Sequence, residues 1–148
     1  MAVVMAATRF LPFLDPAEET ALLAAAPVRA FARDEPVFEQ NVSLRAIFLI
    51  EEGAVRVERQ DRGATIPIAI LGAGEFFGEM SFVDGTPTSA RIVAEEPTRL
   101  RIIDTATVDA LTAAVPGFAG HFYRSIAAIL AERLRLTSAR AYGDQSWG

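Results

Sequence analysis

The residues best placed to do chemistry lie in one run, GEFFGEMSFVDGTPTSA, from Gly74 to Ala90. Glycines 74, 78 and 85 mark turns, an acid stands at Glu79, and a short apolar stretch leads through the second turn toward a strand. The order reads as a loop built around an anion. Gly78, directly after Phe77, permits a close approach of backbone to ligand, and Glu79-Met80-Ser81-Phe82 can form one helical turn whose amides point at a negative group. Thr88 and Ser89 supply hydroxyl donors, but Thr88 stands where a cation would face the anion. A plain glycine-punctuated turn, with Glu79 capping local amides, accounts for the same run.

Other chemistries are thinly represented. The chain has no cysteine, which removes disulfides, thiolate metal sites and thiol catalysis together. Its one histidine, His121, cannot build a multi-histidine metal centre, and near the start of a helix it reads as a partly exposed hydrogen-bonding residue. Glu51-Glu52 and Glu95-Glu96 are adjacent acids, but neighbours on a strand point to opposite faces and make no catalytic dyad. An enzyme is therefore not expected. All the cations are arginine, they are scattered, and the net charge is -5, so direct contact with DNA is not expected either. The apolar start, MAVVMAATRFLPF, lacks a basic leader, and no run reaches the length of a membrane span, so the chain reads as cytoplasmic.

These residues need elements to hold them. A length of 148 residues fits one domain with a core of its own. Asp15-Pro16-Ala17-Glu18-Glu19 is a helix start, with Asp15 as cap and two glutamates at the positive end of the dipole; the helix runs to about Ala26, buries Leu22 and Leu23, and stops at Pro27. From residue 29 to 104 the texture changes to short alternating or β-branched segments: Val37-Phe38, Ile47 to Ile50, Ala54 to Glu58, Ile66 to Leu71, Ser89 to Ala94 and Leu100 to Ile103. Their spacing predicts an antiparallel barrel or jelly roll.

Helical period returns at 105–114 and again, beyond Pro116-Gly117, from Phe118 to about Tyr142. Phe122, Ile126, Ile129 and Leu136 form one stripe of the long helix; Tyr123, Ala127, Leu130 and Leu134 form a second beside it. Two stripes call for two surfaces, the chain's own barrel and the same helix of a second subunit, so a homodimer is expected. Arg133 and Arg140 interrupt the first stripe and are expected to pair with acids such as Glu132 of a partner.

The order helix, β-roll, glycine-acid loop, long helix resembles the cyclic-nucleotide-binding domain of catabolite-activator-type bacterial regulators and of cyclic-AMP-dependent kinase regulatory subunits. The likeness covers about residues 11–142: DEPVFEQNVSLRAIFLIEEGAVRV resembles the family's first hairpins, and LGAGEFFGEMSFVDGTPTSARIVA its phosphate-binding cassette. It implies a mainly β jelly roll with a short N-terminal and a long C-terminal helix, acting as a non-enzymatic regulatory domain. Cyclic AMP or cyclic GMP is then the implied ligand, with Glu79 receiving a ribose hydroxyl, and Thr137 and Ser138 offering hydroxyls to the base across the dimer. Where the family has arginine, in sequences like G-T-P-R-A-A, this chain has Gly85-Thr86-Pro87-Thr88-Ser89-Ala90. Arg91, three residues on, points outward by strand alternation. The cassette thus lacks its positive partner, and weak cyclic nucleotide binding is expected, or a ligand-free domain serving as a dimeric scaffold. A second departure, Asn41 at a turn where glycine is common, matters little, because asparagine tolerates the left-handed conformation. Regulators of this type continue into a helix-turn-helix domain; here a short tail, 143–148, follows the helix, so the chain reads as a stand-alone domain or part of a longer regulator.

Overall fold

Asp15 and Glu18 cap each other at the start of the first helix. In this computed structural model, which describes residues 11–142 and their side chains up to residue 137, Asp15 Oδ1 accepts from Glu18 N and Glu18 Oε1 accepts from Asp15 N, each at 2.8 Å. Helix α1 (Pro16–Ala25) follows and buries Leu22, with Leu23 only partly covered. Glu18, at the positive end of the helix as expected, is also 2% exposed, and His121 of the last helix meets its carboxylate through Nδ1 at 2.8 Å. The tail at 143–148 and the first ten residues lie outside the described residues.

Among the described residues, eight strands form two antiparallel sheets. One has the order β1-β8-β3-β6, from Val28–Phe31, Thr98–Asp104, Ala46–Glu52 and Phe76–Phe77; the other has the order β2-β7-β4-β5, from Pro36–Phe38, Arg91–Ala94, Ala54–Asp61 and Ala64–Gly72. This is the jelly roll that the strand spacing implied, with β1 and β6 as additions. Strand β6 is two residues long and β1 carries one buried side chain, so neither shows an alternation that sequence could reveal. The β4–β5 hairpin turns through Arg62 and Gly63, at φ of 54° and 81°, the twist a two-residue hairpin needs. Strand β5 lies at a sheet edge, and Ile66, Ile68 and Ile70 are exposed along it, with Pro67 among them.

The period of two along β3 divides the interior. Ile47 and Leu49 face a cluster shared with the helices, whereas Phe48 and Ile50 face the inside of the roll. Phe76 and Phe77 of β6 split in the same way. Helices α3 (Thr105–Ala114) and α4 (Phe118–Tyr142) close the first cluster, α4 through Phe118, Phe122 and Ile126. Alternate neighbours of that stripe stay open: Tyr123 is 44% exposed and Leu134 68%. A 25-residue helix is roughly 37 Å long and outruns the sheets it packs on.

Candidate functional site

The glycine-acid run folds as a bridge between the roll and α4. Phe77 pairs with Phe48 across β6 and β3 and stacks on it, ring centroids 5.1 Å apart, which fixes the entry to the run inside the roll. Gly78 then takes φ 87°, and helix α2 (Glu79–Asp84) begins. The expected reason for this glycine, room for a ligand, is not the one found. A Cβ here would stand 2.5 Å from the Ala46 carbonyl oxygen, so glycine lets the turn close against β3. At the far end Gly85, at φ 74°, donates its amide to Ser81 O, and Arg45 caps the last turn by donating to Phe82 O at 2.8 Å. Asp84 accepts from the amide and hydroxyl of Thr86, which hold its carboxyl below the usual aspartate range.

Amphipathic spacing then aims the side chains of α2. Phe82 is 1% exposed and packs edge-on against Phe122 of α4, centroids 6.0 Å apart, while Met80 and Val83 face outward. Glu79, one turn earlier, is buried and reaches α4 as well: Arg133 Nη1 donates to its Oε1 at 2.7 Å. Arg133 Nη2 donates to Phe76 O at 2.8 Å, and the guanidinium lies over the Phe76 ring at 4.7 Å. Beneath this pair is a cavity of about 190 Å³. Phe77, Gly78, Glu79, Met80, Ser81, Thr88 and Ser89 all line it. So do Arg133 and an apolar wall that includes Phe38, Val57, Leu71 and Ile92.

Three expectations are corrected by this geometry. First, the cavity holds a guanidinium after all. Arg133 is expected to meet an acid of a partner, but it pairs with Glu79 of its own chain, while Glu132 of the same chain accepts from Arg135 at 3.0 Å. A signal was available: an arginine inside an apolar stripe must meet an acid within the fold or lie outside it. Second, Thr88 is no donor to a ligand. Its hydroxyl is buried, donates its one hydrogen to Glu39 O at 2.7 Å and accepts from Val42 N at 2.9 Å. It pins the turn through Asn41, whose φ is 64°. Third, the apolar wall escaped notice, although Val57 and Leu71 sit at inward positions of alternating strands.

Arg91 behaves as alternation requires. It pairs with Glu39 at 3.0 Å and Glu58 at 3.4 Å and does not line the cavity. Glu51 and Glu52 also separate as adjacent strand residues must, Glu51 buried against Arg101 and Glu52 exposed. Thr137 is exposed on α4 and does not line the cavity of its own chain; Ser138 lies outside the described side chains. Arg140 falls there too.

A cavity closed by a glycine-flanked acidic turn on one side and a long helix on the other has a match among protein families. Residues 28–114 fit the model of the family described as "Cyclic nucleotide-binding domain". The chain belongs to that family. It is 37% identical over 108 residues to the cyclic AMP receptor protein of Thermus thermophilus, covering 72% of this chain and 48% of that protein. It is 35% identical over 117 residues to cyclic GMP-binding protein C of Dictyostelium discoideum, covering 78% of this chain and 4% of that protein. The crystal structure of the Thermus thermophilus catabolite activator protein superposes with a TM-score of 0.74 at 33% identity, over 90% of this chain and 61% of that one. The chain thus spans about half the length of the bacterial relative and a small part of the other. It is a cyclic-nucleotide-binding regulatory domain by family, built as a jelly roll between N- and C-terminal helices. Among the described residues no helix is long and apolar enough to cross a membrane, and no group of acids and His121 is arranged to hold a metal.

Proposed function

We propose that this domain takes cyclic AMP or cyclic GMP weakly in the cavity beneath α2 and reports occupancy through α4 of a homodimer. The observation that carries the reading is the Glu79–Arg133 pair, one partner on the cassette and the other on the long helix. A ligand hydroxyl that donates to Glu79 competes for the carboxylate that holds Arg133, so a bound ligand changes how α4 is tied to the cassette. The shift this produces is set by the ligand's differential affinity for the tied and released states. The contact of Phe82 with Phe122 couples the same two helices by packing.

Weak binding follows from the polar groups available. Charge-assisted hydrogen bonds contribute roughly 1.5–3 kcal/mol and neutral ones about 0.5–1.5. With threonine at 88, a ligand phosphate forgoes on the order of 1–2 kcal/mol, about tenfold in affinity. Arg133 offsets part of this only by leaving Glu79. The residues assigned to ligand contact are Phe77, Gly78, Glu79, Met80, Ser81, Ser89 and Arg133, with Thr88 as a support of the cassette. Thr137 and Ser138 belong to this set through the second subunit.

The dimer seam is the face of α4 on which Tyr123 and Leu134 are exposed and Leu130 is partly covered by the chain's own core. Tyr123, Ala127, Leu130 and Leu134 recur at steps of four, three and four, the spacing of a helix pair, and Thr137 continues the row. The role is binding and signalling without catalysis, and any DNA contact belongs to a segment other than this acidic domain. Calorimetry of the whole chain with cyclic AMP and cyclic GMP tests the site. Saturation at micromolar to sub-millimolar ligand is the expected result; silence at millimolar ligand overturns it in favour of a ligand-free dimeric scaffold.

A further inference from the structure

A ligand anion entering the cavity finds its cation already engaged. Arg133 and Glu79 stand 2.7 Å apart, so the pair contributes no net charge, and any negative group beside Arg133 is also beside a carboxylate. The nearby arginines are turned elsewhere, Arg45 to Phe82 O and Arg91 to Glu39 and Glu58. Thr88 has given its hydrogen to Glu39 O. What remains for an anion is neutral donors, the hydroxyls of Ser81 and Ser89 and the first backbone amides of α2, within a chain whose net charge is -5.

The same inventory suits a hydroxyl. A guanidinium has five N–H donors, and Arg133 gives one each to Glu79 Oε1 and Phe76 O. The remaining donors, with Glu79 Oε2 beside them, set a donor next to an acceptor, which matches a group that both accepts and donates. Burial of Glu79 and stacking of Arg133 on Phe76 hold this arrangement in place. Across the cavity, Phe38, Val57, Leu71 and Ile92 offer an apolar face to a flat ring.

Resting on the reading of this cavity as a nucleotide site, we infer that it selects its ligand by ring and sugar hydroxyls and not by phosphate, so that uncharged nucleosides are ligands in their own right. The domain then responds to adenosine or guanosine at nearly the concentrations at which it responds to the cyclic nucleotide. Side-by-side calorimetric titrations of the whole chain with cyclic AMP, cyclic GMP, adenosine and guanosine test this. Each nucleoside binds within about fivefold of its cyclic counterpart, the range of a neutral hydrogen bond. A cyclic nucleotide that binds about thirtyfold or more tightly than its nucleoside overturns the inference and leaves the nucleotide site standing. A chain that binds none of the four at millimolar concentration removes the site itself. Glu79→Gln supplies a second measurement: it weakens nucleoside and cyclic nucleotide by the same factor, and a loss confined to the cyclic form counts against the inference.

Discussion

Thr88 offers the sharpest test of how the cassette is held. Thr88→Val keeps the side chain's shape and removes its hydroxyl, which joins Glu39 O to Val42 N across the turn that leads into β3. Two hydrogen bonds disappear, from a Thr88 that is itself 6% exposed to groups of Glu39 and Val42, which are exposed and can turn to water. At about 1 kcal/mol per bond the loss is about 2 kcal/mol. For a domain of this length that lowers Tm by about 4–8 °C. Thr88→Ser, which retains the hydroxyl, stays within about 1 kcal/mol of the parent chain. Thermal denaturation followed by circular dichroism reads all three chains. A valine variant melting within about 1 °C of the parent refutes the assignment of that hydroxyl to the turn. Thr88→Arg carries the same structural loss. Its folded fraction binds cyclic AMP about tenfold more tightly than the parent, because the new cation outweighs a hydroxyl that was never aimed at the ligand.

Gly78→Ala forces a side chain onto a left-handed residue and toward the Ala46 carbonyl; a loss of at least 1–2 kcal/mol in a denaturant melt is expected, with weaker ligand binding in calorimetry as the cassette lifts from β3. Leu134→Glu changes a side chain that is 68% exposed, so the fold and its Tm are retained while analytical ultracentrifugation shows dimer converting to monomer; a variant that still sediments as a dimer moves the seam away from this face of α4. Asp104 caps α3 by accepting from Thr107 N at 2.8 Å, and that bond holds its carboxyl below the usual aspartate range. Because the folded value is the lower one, the cap stabilises fully above the unfolded value and its contribution fades as pH falls through the folded one. Asp104→Ala therefore costs about 1 kcal/mol at neutral pH, and denaturant melts of the two chains converge in acid.

Local rules made much of this molecule readable. Asp15 before Pro16 announced α1, and of the stripe Phe122, Ile126, Ile129 and Leu136 the first three meet the core while Leu136 is 52% exposed. Alternation sent Arg91 outward, because a strand's period of two depends on neighbours within the strand itself. The glycine-acid run was legible for the same reason: its residue types and spacing lie within one short segment.

What sequence could not give are pairings between residues far apart along the chain. Glu18 read only as an acid at a helix start and Arg133 as an interface charge until the fold brought them to His121 and Glu79, more than fifty positions away in each case. Thr88 looked free to serve a ligand until the turn at Asn41 folded over it. A charged or hydroxyl side chain has several possible partners of similar worth, and its own sequence neighbourhood does not rank them. Tertiary packing ranks them, by deciding which partner is within reach once water has been excluded.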